Sequence, residues 1–436
     1  MRNEGGQRRR ARSTDARDTV VRRHRPDYMI ALFTGILMLL GLITIYSIGP
    51  QRANVLNNAM GSNFSDSYFF IKQTVSTILA IVAFAVAASI PYALVIKHAS
   101  KLFIVGLVSC LVLALAGLAG LSFAEEINGA TRWFDLGILG SIQPAEIVKF
   151  GLLAYLAVFL GKRIKEGELN SWSRTLLPAG AMAGAALLFI VVIQKDMGTG
   201  ISLMAIIATM LFVAGVNKKI GLTLLAVLLI AGSVMVFTAP HRVARVMTFL
   251  QGDNTSTDDS GAYHIQHAKI AIGSGGLNGV GIGNSVQATG YLPEAINDSV
   301  FAILGETFGF VGLVALIALF VALLMRMLKV LDHLVDIRLK LLAAGVFGWF
   351  GAHVILNIAA MIGIFPLTGI TLPLLSFGGT SMLFMAAALG LVFQLSRYTV
   401  HSSRIKEDIS YEDSRSRRGV GRPRYAGRRS TQVASR

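Results

Sequence analysis

Ten apolar runs, each long enough to cross a lipid bilayer, dominate this 436-residue chain. They lie at about 28–48, 69–90, 102–123, 145–161, 176–194, 199–216, 220–238, 299–325, 340–363 and 371–395. In hydrocarbon every backbone polar group has to be satisfied internally, so runs of this length fold as helices. The sequence therefore predicts an all-α, polytopic integral membrane protein, with about ten transmembrane helices between residues 28 and 398.

The composition favours a membrane protein over a soluble one. Hydrophobic residues make up 54% of the chain and charged residues only 15%, and the mean hydropathy is +0.63. The 45 glycines suit a bundle of closely packed helices, because small residues let helix backbones approach one another. A single cysteine, Cys110, excludes an intrachain disulfide.

Positive charge is distributed unevenly over the segments that connect the apolar runs. With the amino terminus inside the cell, 32 of the 40 Lys and Arg residues fall in cytoplasmic segments, as the positive-inside rule requires. Both termini are therefore predicted to be cytoplasmic, as basic tails at 1–27 and 399–436, and the second tail is expected to be disordered. The net charge of +16 then reflects topology and attraction to anionic membrane lipids, and no nucleic-acid partner is predicted.

The longest outer segment, at about 239–298, ends with Asp298 at the edge of the eighth run. A carboxylate in the hydrocarbon costs roughly 3 kcal/mol, so acids at such positions usually face a cavity and often carry function. If a helix begins at Pro293, Glu294 and Asp298 lie four residues apart on one face. Two neighbouring carboxylates can raise one another's pKa or share a divalent cation. The alternative is an acid that complements the dipole of the eighth helix.

A second polar cluster is NGATRWFDLGILGSIQPAEIVKF, which places Arg132 and Trp133 at the predicted outer surface. Glu146 and Lys149 follow at the start of the fourth helix with i,i+3 spacing, for which an ion pair is the default explanation. The alternative is that Lys149 and Arg132 face a cavity and hold an anion such as a pyrophosphate. The spacing alone favours neither.

Two more acids have structural explanations. In QKDMGTG, Asp196 lies in a tight turn where the N-cap of the sixth helix is expected. In the eighth helix, Gly305, Gly309 and Gly312 form a face of small residues that favours a neighbouring helix. Glu306 lies beside this face and is predicted to make a structural hydrogen bond.

Three of these stretches together resemble the SEDS family of membrane proteins. GATRWFDLGILGSIQPAEIVKF resembles the family signature G-x-x-R-W-[IF]-x-L-G…Q-P-[SA]-E-x-x-K, and QKDMGTG resembles its Q-P-D-L-G-T turn. PLTGITLPLLSFGGTS, at 366–381, resembles its P-[VT]-[TK]-G-[IL]-x-L-P-[FL]-[IL]-S-[YF]-G-G-[ST]-S segment. GIGNSVQATGYLPEAINDSVFAILGE is similar to the cell-division branch. The sequence departs from the family patterns at Lys195, Ile296, Asn297, Ser299 and Thr307.

The resemblance implies a peptidoglycan glycosyltransferase of the bacterial plasma membrane that polymerises lipid II during septal cell-wall synthesis. Its implied partners are a class B penicillin-binding protein and other division proteins. Asp298 is then the catalytic carboxylate, either as the base for the acceptor hydroxyl or as a ligand of Mg²⁺ or Mn²⁺. Fixed cations stabilise a departing pyrophosphate, so substrate binding is expected from Glu294, Arg132, Lys149, Arg242, Arg245 and Lys269. Supporting roles are expected for Trp133, Gln143, Glu146, Asp196, Glu306 and Ser376.

Two other functions remain open from the sequence. A lipid II flippase or transporter would also contain many helices and buried charges. A transporter needs polar groups along its whole depth, whereas the distinctive acids and cations here cluster at the predicted outer edge. A catalytically silent division scaffold is the other alternative, because long basic tails suit the binding of other proteins.

Overall fold

The described part of the chain is almost entirely helical. The computed structural model describes residues 24–124, 126–127, 130–135, 141–224, 226–227, 243, 246–249 and 260–400. Its helices are α1 (Tyr28–Met60), α2 (Tyr68–Ser89), α3 (Tyr92–Leu118), α4 (Pro144–Lys165), α5 (Trp172–Ile193), α6 (Met197–Ala214), α7 (Ser260–Ser274), α8 (Val300–His333), α9 (Ile337–Met361) and α10 (Gly379–Leu395). Four short strands form two antiparallel pairs, β1 (Glu126–Ile127) with β2 (Ala130–Thr131) and β3 (Phe134–Asp135) with β4 (Ser141–Ile142).

The helices confirm the predicted fold class. Within the described residues, nine helices, all except α7, are long and apolar enough to cross a membrane. The predicted fifth and sixth spans are separate helices, α5 and α6. The seventh predicted span, at 220–238, lies largely outside the described residues, as do Arg242, Arg245 and most of both predicted tails.

Several helices extend beyond the apolar runs that predict them, or fall short of them. α3 begins at Tyr92 rather than at 102, so Lys97 and Lys101 lie in its first turns and not in a connecting loop. α1 continues past the predicted end at 48 to Met60. The last run is helical only from Gly379, because its first residues form turns. Hydropathy marks the residues that suit hydrocarbon, and it does not mark where a helix continues into water.

The interior of the bundle is formed by α4, α9 and α10. In their spanning windows 72%, 72% and 67% of the residues are buried, against 22% in α2 and 28% in α3, which therefore lie at the periphery. Glycines bring some backbones into direct contact, as the composition predicts. A Cβ on Gly151 of α4 would lie 2.7 Å from the Phe103 Cα of α3.

α8 is interrupted at Gly309, whose φ of 67° and ψ of −168° are not helical. The glycine-rich segment 275–281 fills the interruption. The Val280 amide donates to the Glu306 carbonyl at 2.9 Å, and the Gly276 carbonyl accepts the Phe310 amide at 2.8 Å. A Cβ at Gly309 would lie 2.4 Å from the Gly279 amide nitrogen. The glycine-lined face of α8 thus accepts a loop, and not only the neighbouring helix that the sequence predicts.

The end of the bundle near residues 24–27 and 396–400 is closed by polar contacts. The Asp27 amide donates to Ser396 Oγ at 2.8 Å, and Arg326 Nη1 lies 3.6 Å from Asp27 Oδ2. Asp336 caps α9 there, because its Oδ1 accepts the Arg338 amide at 2.9 Å and its Oδ2 accepts Arg338 Nη2 at 2.8 Å. Burial alone would raise the pKa of Asp336, but the hydrogen bonds and charge of Arg338 outweigh burial and lower it.

Asp336→Ala is expected to lower the free energy of unfolding at pH 7 by about 1 kcal/mol, a typical value for an N-cap. Because the folded-state pKa of Asp336 is lowered, its contribution is present above the unfolded pKa of about 3.9 and is lost as the pH falls toward the folded pKa. Thermal unfolding in detergent should show a difference from wild type that shrinks below about pH 4. Asp332→Ala, which removes an exposed acid of α8, is the control. An undiminished difference at low pH would contradict the assignment.

Candidate functional site

Three polar segments of the sequence meet at the other end of the bundle. The first segment contains Arg132, the second is QKDMGTG at 194–200, and the third is 366–381. Arg132 joins the first two, because its Nε and Nη2 donate to the carbonyls of Gln194 and Lys195 at 3.2 and 2.8 Å. The third segment packs against the second at Gly198, where a Cβ would lie 2.7 Å from the Thr368 carbonyl oxygen. The three stretches that carry the family resemblance are therefore assembled into one site.

Asp196 organises the turn between α5 and α6. Its Oδ1 accepts the Thr199 amide at 2.9 Å, so it is the N-cap that the sequence predicts. Its Oδ2 accepts the Thr199 hydroxyl at 2.8 Å and Gln143 Nε2 at 2.9 Å. Gln143 immediately precedes α4, so this carboxylate also ties the start of α4 to the turn.

Lys149 is completely buried. Its exposure is 0%, its Nζ donates to Glu146 Oε1 at 2.7 Å, and the same Nζ lies 4.7 Å from the ring centre of Trp349 in α9. The predicted i,i+3 ion pair is therefore formed, with an additional cation–π contact. In this conformation the ammonium does not face an open cavity, so the alternative of a cavity-facing Lys149 does not hold here. Its role toward a pyrophosphate stays a prediction that requires local rearrangement.

Asp298 lies half-buried in a series of turns just before α8. The predicted helix start at Pro293, which would place Glu294 and Asp298 on one helical face, is wrong. Glu294 has a left-handed φ of 50°, and its carbonyl accepts the amides of both Asn297 and Ser299, at 2.9 and 3.3 Å. These bonds close a tight turn. The exposed Glu294 carboxylate accepts a hydrogen bond from Asn297 Nδ2.

Asn357, buried in α9, fixes the backbone of this turn. Its Nδ2 donates to the carbonyls of Asp298 and Ile370 at 2.7 and 2.8 Å. The Phe377 amide donates to the Ile296 carbonyl at 2.8 Å. The Asp298 turn is therefore docked on the segment at 366–381. Asn357 belongs to none of the sequence motifs and was not predicted. A polar side chain within an apolar span is the sequence signal that could have identified it.

Ser299 links the same turn to α7. Its hydroxyl donates to the Pro293 carbonyl at 2.8 Å and lies 2.6 Å from His264 Nε2. The residue next to Asp298 is thereby held from two sides.

Glu306 holds the loop that follows α7. This buried carboxylate accepts the Ser285 hydroxyl at 2.5 Å, the Val286 amide at 3.0 Å and the Gln287 amide at 3.3 Å. The predicted structural hydrogen bond is present, with three donors instead of one. Gln287 continues the network, since its Oε1 lies 2.8 Å from His267 Nδ1.

The other predicted site residues that the structure describes lie around this end of the bundle. Ser376 Oγ accepts the Leu372 amide at 2.8 Å, which stabilises the segment that docks the Asp298 turn. Trp133 is half-buried beside Arg132. Lys269 is an exposed residue of α7 whose side chain packs against Gly363, where a Cβ would lie 2.8 Å from Lys269 Cε.

A divalent cation would have to be held by few protein ligands. Among the described residues, no group of three or more His, Cys, Asp or Glu side chains is arranged to hold a metal ion. The turn at Glu294 removes the helical alignment with Asp298 on which a shared cation was predicted. Mg²⁺ keeps several waters and is often bound by one carboxylate together with substrate phosphates. A cation between Asp298 and a pyrophosphate therefore stays a prediction.

The sequence matches known proteins over nearly its whole apolar part. Residues 27–401 match the cell cycle protein family of FtsW, RodA and SpoVE. The chain is 34% identical over 377 residues to stage V sporulation protein E of Bacillus subtilis (strain 168), which covers 86% of this chain and 98% of that protein. It is 33% identical over 381 residues to a probable peptidoglycan glycosyltransferase FtsW of Coxiella burnetii, with 86% and 96% covered.

Solved structures show the same architecture. A chain from a structure described as "Structural coordination of polymerization and crosslinking by a peptidoglycan synthase complex" superposes with a TM-score of 0.64 at 26% identity, covering 85% of this chain and 98% of that chain. The rod shape determining protein RodA of Thermus thermophilus superposes with a TM-score of 0.60 at 25% identity, covering 86% and 98%. Together with the matched motifs, these similarities confirm that the chain belongs to the SEDS family, the FtsW, RodA and SpoVE proteins.

Proposed function

We propose that this chain is a peptidoglycan glycosyltransferase of the FtsW type that polymerises lipid II into glycan strands at the division septum. The observation that carries the proposal is the half-buried carboxylate of Asp298 in a turn whose backbone is fixed by Asn357 at 2.7 Å. Arg132 and the three family segments lie at the same end of the bundle. The names of FtsW relatives, given as probable peptidoglycan glycosyltransferases, support this reaction type.

The proposed reaction joins two lipid-linked disaccharides. The 4-hydroxyl of the acceptor attacks the anomeric carbon of the donor, a glycosidic C–O bond forms, and the bond to undecaprenyl pyrophosphate breaks. Asp298 takes the hydroxyl proton, and its half-buried place in a turn fixed by Asn357 positions the carboxylate for this role.

The leaving pyrophosphate gains negative charge as its bond breaks. Arg132, part-buried at the same end, is the proposed first contact, since fixed cations stabilise such charge without reorganisation. Glu294, exposed at the surface of the Asp298 turn, is proposed to contact a substrate hydroxyl. Further substrate contacts are proposed for Lys149, Lys269, Arg242 and Arg245.

The proposed partner is a class B penicillin-binding protein, together with other division proteins. A related chain occurs in a structure described as a peptidoglycan synthase complex that coordinates polymerization and crosslinking. New glycan strands need crosslinking, so a polymerase and a crosslinking enzyme act on the same product.

The direct test uses the purified full-length chain with fluorescent lipid II, alone and with its cognate penicillin-binding protein. A ladder of glycan strands on a gel is the expected product in at least one condition. If no polymer forms in either condition, and labelled lipid II instead crosses the bilayer of vesicles that contain the protein, the chain is a flippase. If neither occurs while the partner binds, the scaffold function replaces the enzyme.

Both termini are proposed to be cytoplasmic, with Asp298 on the outer side, from the 32 of 40 basic residues that follow the positive-inside rule. Single cysteines at positions 10, 256 and 425, in a chain with Cys110 replaced by alanine, test this orientation. An impermeant maleimide should label intact cells only at position 256. Labelling at 10 or 425 without labelling at 256 would overturn the topology.

A further inference from the structure

Three aromatic rings form a row beside the Asp298 turn. The His267 ring lies 6.1 Å from the Tyr291 ring, centre to centre, with their planes within 12° of each other. On α7, the Tyr263 ring lies 4.1 Å from the His267 ring. Tyr291 is 52% exposed, whereas the next residue, Leu292, is 1% exposed. The chain therefore anchors itself by Leu292 and leaves the Tyr291 ring accessible.

The fold holds this aromatic row in place. His267 Nδ1 lies 2.8 Å from Oε1 of the buried Gln287, which fixes the plane of the central ring. Gly290, just before Tyr291, has a φ of 118°, and a Cβ there would lie 3.2 Å from Val55 of α1. Only glycine adopts this backbone conformation readily, so Gly290 lets the chain turn close to α1 just before Tyr291.

The aromatic row is adjacent to the proposed reaction centre. His264 precedes His267 by nearly one helical turn on α7, a rise of about 4.5 Å. His264 Nε2 lies 2.6 Å from the hydroxyl of Ser299, the residue that follows Asp298. One helix therefore positions both the central ring of the row and the turn that carries the carboxylate.

We propose that Tyr291, backed by His267 and Tyr263, is a binding platform for sugar rings of the glycan strand, an inference that rests on the proposed function. A pyranose ring has an apolar C–H face that packs on an aromatic ring, and the Tyr hydroxyl supplies a polar edge for the sugar hydroxyls. A strand held here between additions stays close to Asp298. The platform thus increases the number of sugars added before the strand dissociates.

A different explanation for an exposed tyrosine is an anchor at the membrane–water interface, where Tyr is enriched. Two substitutions in the full-length protein separate these roles. Tyr291→Ala removes the ring, and Tyr291→Phe keeps the ring and removes the hydroxyl. Tyr28→Ala is the matched control, because Tyr28 is 63% exposed and begins α1 at the opposite end of the bundle.

The measurements are the affinity for linear, uncrosslinked glycan strands, by titration of a fluorescent strand, and the product length from lipid II. Tyr291→Ala is expected to weaken strand binding by about two- to tenfold, as the loss of one aromatic contact implies, and to shorten the products. Tyr291→Phe should retain most of the binding, and Tyr28→Ala all of it.

Wild-type strand binding and product lengths in Tyr291→Ala, with reduced thermal stability, would make Tyr291 an interface anchor and overturn the platform. This outcome would leave the glycosyltransferase proposal intact, because polymerisation by wild type is measured separately. The converse result is a wild-type chain that binds strands but polymerises no lipid II, with the strand binding lost in Tyr291→Ala. That result would overturn the proposed reaction and keep the carbohydrate site.

Discussion

Asp298→Asn is expected to lower the rate of lipid II polymerisation by about 10² to 10⁴, the range that a positioned general base contributes. Asparagine keeps the size of the side chain and removes the base. The turn should survive, because Asn357 holds the backbone carbonyl of residue 298 at 2.7 Å and does not depend on the side chain. Initial rates, thermal stability and binding of the penicillin-binding partner should be measured on the same preparation.

Glu294→Gln is the matched comparison for this variant. It removes a carboxylate from the same turn, but one that is exposed, and is expected to lower the rate much less. A folded Asp298→Asn protein that polymerises within a few-fold of wild type would exclude the base. If added Mn²⁺ or Mg²⁺ changed the wild-type rate strongly and the variant rate not at all, Asp298 would be assigned as a metal ligand.

Lys149→Met is expected to lower the free energy of unfolding by about 3–5 kcal/mol, the usual cost of leaving one member of a buried ion pair without its partner. Glu146 is only 2% exposed, so its carboxylate would stay uncompensated in the interior. Its Oε2 has no hydrogen-bond partner within the described residues that offsets the loss. Arg163→Met is the control, because Arg163 pairs with Glu166 at 2.8 Å near the surface, where such pairs contribute below about 1 kcal/mol.

The double variant Glu146→Gln with Lys149→Met separates stability from substrate binding. Replacing both charges by neutral side chains of similar size should restore most of the stability. A folded double variant with normal lipid II affinity and turnover would make Lys149 structural. A folded double variant that binds lipid II weakly would support the pyrophosphate role. Full stability of Lys149→Met alone would contradict a buried ion pair.

The fold was predictable because hydropathy locates each span independently of the others. The first and last residues of the helices were less predictable. α3, for example, begins at Tyr92, well before its apolar run, because a helix can extend past the hydrocarbon. The three family segments were predicted as a set of related motifs, and their contacts agree with a common site: Arg132 joins the first two, and Gly198 packs the second against the third.

The surroundings of Asp298 were not predictable by local rules. The i,i+4 argument assumes a helix from Pro293, which is locally reasonable, since proline suits a first helical turn. Contacts from far along the chain favour turns instead, through Asn357 and the Phe377 amide. Lys149 is similar: spacing predicts its partner Glu146, but not the ring of Trp349, which α9 supplies.

The interruption at Gly309 divides α8 into an upper rod at 300–308 and a lower rod at 310–333, with a joint between them. The amides of residues 310 and 311 bond to the segment 275–281 rather than to the preceding turn of the helix. Because of these bonds, a change in the angle between the rods would also displace the segment 275–281. The upper rod begins directly after Asp298, whereas the lower rod crosses the rest of the bilayer. The joint therefore separates the rod that follows the Asp298 turn from the rod that crosses the bilayer, and the segment 275–281 closes the gap between them.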